Sequence, residues 1–150
     1  MKKLCIILSL ICSAYVCYAQ VTDDFSDGDL TNNPIWTPDN ANNWTVVNNQ
    51  LRSNSTTASS SFYISTPSAK ATAAQWDFYV QLQFNTSGAN FVDVYLMSEQ
   101  ADLLSATNNG YFVRIGGTQD EISLYKITAG VASILINGTD GVTNRSNNPL

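Results

Sequence analysis

The chain has 150 residues, seven Lys or Arg against twelve Asp or Glu, a formal charge of −5 and no histidine. An acidic balance without basic clusters argues against nucleic acid and anionic lipid as partners, since both need grouped Lys and Arg. The lack of histidine removes Ser-His-Asp and Cys-His catalysis, the commonest general base and the usual zinc ligand.

At the N-terminus, Lys2 and Lys3 precede a mostly apolar run from Leu4 to Val16, which ends in Cys17-Tyr18-Ala19 before Gln20. This is the charged start, apolar middle and small-residue exit of a secretory signal peptide, with cleavage expected near Ala19/Gln20. A membrane anchor needs about 20 apolar residues, whereas this run is shorter and gives way to Thr22, Asp23 and Asp24. Lipidation is disfavoured because bulky Ile11 and Val16 precede Cys12 and Cys17. All cysteines (Cys5, Cys12, Cys17) fall inside the signal, so the exported chain has no disulfide and no thiolate metal site. Cleavage takes the charge to −7 and leaves about 131 residues, enough for one domain. The expectation is a secreted or cell-surface protein, with no membrane insertion after cleavage.

Asp23-Asp24-Phe25-Ser26-Asp27-Gly28-Asp29 places four carboxylates in seven residues. Two readings are open: a strand-end turn built on Asp27 and Gly28, or a structural calcium site using Asp24, Asp27 and Asp29 as oxygen ligands. Farther along, Trp44 to Val47 and Gln50 to Ser53 flank Asn48-Asn49, a pair that tolerates the left-handed backbone of a tight hairpin. A short strand is expected at Phe62 to Ile64. The row Trp76, Phe78, Val80, Leu82, Phe84 alternates with Asp77, Tyr79, Gln81, Gln83 and predicts a long strand buried on one face. Trp44 and Trp76 are expected in the core; Trp36, between Pro34 and Pro38, is the freer one.

After the turn Asn85 to Gly88, Phe91 to Met97 reads as the antiparallel partner of that long strand. Tyr111 to Ile115, Glu121 to Ile127 and, past the turn Ala129-Gly130, Val131 to Ile136 continue the pattern. No stretch keeps a helical stripe, so the fold class is all-β, an antiparallel β-sandwich. Asn137 to Leu150 is a polar, turn-rich tail without a closing strand. The expectation is therefore a sandwich lacking its last strands, a fragment of a longer protein with further domains downstream.

Asp24-Phe25-Ser26-Asp27-Gly28-Asp29-Leu30, Trp36, Trp44-x-Val46 and Leu51 resemble the start of concanavalin A-like (laminin G-like) jelly-roll domains. So do the Trp76 to Phe84 row, Asn90, Tyr95-Leu96, Asn109-Gly110-Tyr111, Arg114-Ile115-Gly116 and Asp120-x-Ile122-x-Leu124-Tyr125. Such modules stand at the N-terminus of large secreted Bacteroidota surface proteins. The resemblance implies a jelly roll and, because these folds often carry structural calcium, keeps the metal reading of the aspartates open.

A glycosidase on this fold needs two carboxylates about 5–9.5 Å apart across the sugar bond. The laminarinase-type Glu-x-Asp-x-x-Glu is absent, and Glu99 and Glu121 are the only glutamates. No catalytic residue is assigned. The candidate binding residues are Tyr79, Gln81, Gln83, Asp93, Tyr95 and Arg114, joined by Tyr125, on the sheet face opposite the apolar rows. Aromatic rings there suit pyranose faces, and the polar groups suit hydroxyls; an ordinary solvated face is the equal alternative. The functional reading is a non-catalytic module that binds glycan or polysaccharide or serves adhesion and display. Its rivals are a structural spacer and an accessory domain of a polysaccharide-degrading enzyme.

Overall fold

A computed structural model describes residues 21–69 and 74–144; the expected signal peptide and the last six residues lie outside the described residues. Among those described, the protein is all-β, its only helical piece a 3-10 turn at Ala41–Asn43, and all its strand pairs are antiparallel.

The first half forms two small ribbons. Strand β1 (Thr37–Pro38) pairs with β4 (Ile64–Ser65), and β2 (Trp44–Val46) pairs with β3 (Leu51–Ser53). Asn48 and Asn49 take φ of 53° and 58°, the positive pair that matches a two-residue turn to strand twist. The indoles fasten these ribbons. Trp44 Nε1 donates to the Tyr63 carbonyl at 3.1 Å, and its ring meets Phe62 edge-on at 5.3 Å. Trp36 is also tied down: its Nε1 donates to Asp23 Oδ2 at 2.7 Å, and its ring lies 6.0 Å from Phe25.

The second half is a four-stranded meander of β5 (Phe91–Ser98), β6 (Gly110–Gly116), β7 (Glu121–Thr128) and β8 (Val131–Ile136), in that spatial order. Alternating side chains over five to eight residues favour strands, and the connections supply the required turn chemistry. Gly116 and Gly117 have φ of +103° and +98°, and Ala129-Gly130 closes the last hairpin at 47° and 75°. Gly116 is also required sterically, since a Cβ there would sit 2.6 Å from Thr86 Cγ2.

Buried polar clusters brace both ends of the sheet. At one end the Thr86 hydroxyl donates to Asp120 and meets Thr143 Oγ1 at 2.9 Å, and Thr143 is fully buried. Residues 138–144, expected as part of a turn-rich polar tail, are drawn against β7 and the turn before it by three backbone donors: Gly138 N–H to Ser123 Oγ (2.8 Å), Gly141 N–H to the Gln119 carbonyl (2.9 Å) and Thr143 N–H to the Asp120 carbonyl (2.9 Å). At the other end Asn108, also fully buried, accepts from Ser98 Oγ at 2.8 Å, and its carbonyl accepts from Gly130 N–H at 2.9 Å. Buried polar groups need such partners, so these clusters fix the loops that carry them.

One expected element does not form. Residues 74–86 contain no strand beyond a single-residue bridge at Gln81, and β5 is paired with β6 rather than with this segment. Leu82 is 1% exposed, but Trp76, Phe78 and Phe84 are 41%, 45% and 37% exposed. Alternation states which side chains would share a face, whereas a strand also needs a neighbouring backbone to take its hydrogen bonds. The deepest apolar residues are Leu82, Phe112, Ile115 and Ile127.

Candidate ligand-binding face

On β5, β6 and β7, with β8 joining one row, the residues that share a face fall into three cross-strand rows. Tyr95, Phe112, Tyr125 and Ile134 form one; Asp93, Arg114 and Ser123 form the next; Phe91, Gly116 and Glu121 form the third. The rows follow from register alone, because a period of two sends every second residue to the same side.

The aromatic row is stacked across three strands. Phe112 lies 5.0 Å from Tyr95 at an interplanar angle of 30°, and 5.1 Å from Tyr125 at 4°. Phe112 itself is 1% exposed, so Tyr95 and Tyr125 are the rings of this row with surface remaining. The Tyr95 hydroxyl donates to the Leu103 carbonyl at 3.4 Å. Burial pushes its pKa up, and the Asp93 charge adds to that while Arg114 opposes it.

In the neighbouring row Arg114 and Asp93 form a bidentate pair, with Nε–Oδ1 and Nη2–Oδ2 both 2.8 Å. The guanidinium carbon lies 3.9 Å from the Phe91 ring centroid, 5.1 Å from Tyr125 and 5.5 Å from Phe112. A planar fork between aromatic faces is the arrangement arginine serves better than lysine. The hydrogen bonds that Arg114 donates to Asp93 outweigh burial and raise the Arg114 pKa above its ordinary value. With its carboxylate committed to Arg114, Asp93 acts as a clamp on the guanidinium.

The structure thus brings together Asp93, Tyr95 and Arg114 of the expected residues, together with Tyr125. Tyr79, Gln81 and Gln83 lie elsewhere, exposed on the 74–86 segment outside the sheet. Phe91, Phe112, Gly116, Glu121, Ser123 and Ile134 join the face without having been among the expected binding residues. Glu121 is in phase with Ser123 and Tyr125 along β7, and that parity was the available signal for it. At the end of the face where β6 turns into β7 lies a recess of about 200 Å³, lined among others by Arg114, Glu121, Tyr125, Gln119, Ile134 and Asn137.

The aspartate-rich turn is built locally. Asp24 Oδ1 accepts from Ser26 N–H at 3.0 Å, Asp27 Oδ1 from Asp29 N–H at 3.3 Å, and Asp29 Oδ1 from Thr31 N–H at 2.7 Å. The hydrogen bonds from Ser26 hold the Asp24 carboxyl below the usual range, and those from Thr31 and Asn32 do the same for Asp29. Among the described residues no group of three or more acidic side chains converges to hold a metal ion. Asp24, Asp27 and Asp29 stand as successive turn-forming acceptors.

No family model, no curated protein and no solved structure matches this chain.

Proposed function

We propose that this protein is a non-catalytic binding module, exported to the cell surface or beyond, whose β5–β7 face takes carbohydrate. The proposal includes the jelly-roll kinship that the sequence resembles. The observation that supports it most is the Arg114–Asp93 pair held among Phe91, Phe112 and Tyr125, with Tyr95 in the adjoining row. Rigid donors and acceptors beside aromatic surface are what sugar recognition requires: ring faces for C–H groups and fixed polar atoms for hydroxyls.

A spacer without a ligand is the second reading, favoured by one specific fact. Phe112 is spent on its two tyrosine neighbours and offers almost no surface. A glycan array followed by isothermal titration separates the two. The binding module gives saturable binding that Tyr125→Ala weakens at least about tenfold, equivalent to about 1.4 kcal/mol, while far-ultraviolet circular dichroism stays unchanged. Absence of saturable binding across the array assigns the protein to the spacer reading.

A further inference from the structure

We infer that the recess at the β6–β7 end of this face is a site for one neutral sugar ring, and that Glu121 is the acceptor that selects it. The inference rests on the carbohydrate reading above and narrows it to a place and a ligand class.

Glu121 opens β7 opposite Gly116, which contributes no side chain to that row. Glu121 is 5% exposed, and its Oε2 is buried with no hydrogen-bond partner among the described residues. Leaving a buried acceptor without a donor is costly, and the great majority of buried side-chain polar atoms in folded proteins are paired. Glu121 lines the recess, and a ligand donor reaches Oε2, which is closed to solvent, only as that wall yields to it. Buried polar groups left unpaired are also the strongest source of discrimination, because a ligand lacking the donor pays the full penalty.

The remaining walls define the donor. Tyr125 and Ile134 are register partners on adjacent strands and present a ring and an aliphatic side chain next to one another. Gln119 and Asn137 bring amides that can both give and accept hydrogen bonds. The volume, about 200 Å³, equals roughly six or seven waters at about 30 Å³ each and lies below the ~300 Å³ at which drug-sized pockets begin. That is room for a single ring.

Charge then narrows the class. Arg114 lines the same recess as Glu121 with its charge matched by Asp93, so an anionic ligand meets the Glu121 carboxyl with no free cation to offset it. A neutral polyol avoids that penalty: its hydroxyls donate to Glu121, and its oxygens accept from the Arg114 nitrogen not engaged by Asp93. Uronic acids are disfavoured on the same ground.

The test uses the whole chain against soluble neutral polysaccharides (glucan, mannan, galactan, xylan), with alginate and chitosan as the anionic and cationic arms. Binding is read by affinity electrophoresis and titration calorimetry, and stability by thermal melting. Expected is saturable binding to at least one neutral polymer, lost at least tenfold in Glu121→Met with the melting temperature unchanged or raised, because the substitution removes an unmatched buried acceptor. A merely structural Glu121 gives the reverse pattern, with binding kept and melting lowered. Should Glu121→Met not fold, Glu121→Gln decides: a tenfold loss supports the site and wild-type affinity overturns it. Binding to a neutral polymer that survives at Glu121 but falls in Tyr125→Ala overturns this site and leaves the carbohydrate reading standing. Binding confined to alginate or chitosan overturns the neutral class, and no binding in any arm overturns both.

Discussion

Tyr95 shows how a single residue on this face responds to its surroundings. Its phenol is pushed above the ordinary value of 10.0, chiefly by burial and then by the Asp93 charge. A raised pKa means that the folded state favours the protonated form. The stability it contributes is present below about pH 10 and is lost as pH rises through the raised value. The melting temperature is therefore expected to stay level from neutral pH to about pH 9 and to fall above pH 10. Tyr95→Phe should shallow that fall without abolishing it, since Tyr63 is raised as well; an alkaline limb identical to wild type would show that Tyr95 does not contribute. The same residue-scale logic separates two kinds of side chain on the face. Phe112 is buried between two tyrosine rings and serves the fold, whereas Glu121 is buried with its Oε2 unmatched.

At the scale of the element, turns and partners decided what formed. The β7–β8 hairpin closes on Ala129 and Gly130, both with positive φ. A non-glycine residue in that region carries roughly 1–2 kcal/mol of strain, so Ala129→Gly should raise the unfolding free energy by up to about 1 kcal/mol. Gly130→Ala should lower it by at least about 1 kcal/mol, since its Cβ would also fall 2.7 Å from the Ala106 carbonyl oxygen. Urea denaturation of the two variants checks both signs, and a destabilised Ala129→Gly would contradict the turn geometry. The Asn48-Asn49 and Ala129-Gly130 hairpins were legible in sequence because turn conformation is a local property of those residues. The 74–86 segment was not legible in the same way. Its alternation is as regular as that of β5, but a strand is completed by a neighbour, and β5 takes its hydrogen bonds from β6.

For the whole molecule, the core lies under Leu82, Phe112, Ile115 and Ile127, while β8 ends the sheet with all six residues exposed. Ile115→Ala is expected to cost about 2–5 kcal/mol, a large part of the ~5–15 kcal/mol that holds a domain together. Leu135→Lys on β8, where the side chain is 50% exposed, should change stability by no more than about 0.5 kcal/mol. Chemical denaturation of the pair tests whether the core sits where the structure puts it; comparable losses would mean that β8 is covered in solution. The sequence by itself determined the all-β antiparallel class, the four strands from Phe91 to Ile136 and the hairpin turns, since side-chain period and turn chemistry are written in neighbouring residues. It also put Asp93, Tyr95, Arg114 and Tyr125 in phase, but as the solvated face opposite the apolar rows, whereas Phe112, Glu121, Ser123 and Ile127 on that face are buried and Ile122 and Lys126 on the other side are exposed. Only the tertiary structure decided that Tyr79, Gln81 and Gln83 stand apart from that face, that the aspartates of the N-terminal turn bind their own backbone, and that Glu121 is shut in beside Arg114 without a partner. Those outcomes depend on which backbone lies next to which, and on burial by residues distant in the chain, and neither is encoded in any short stretch of it.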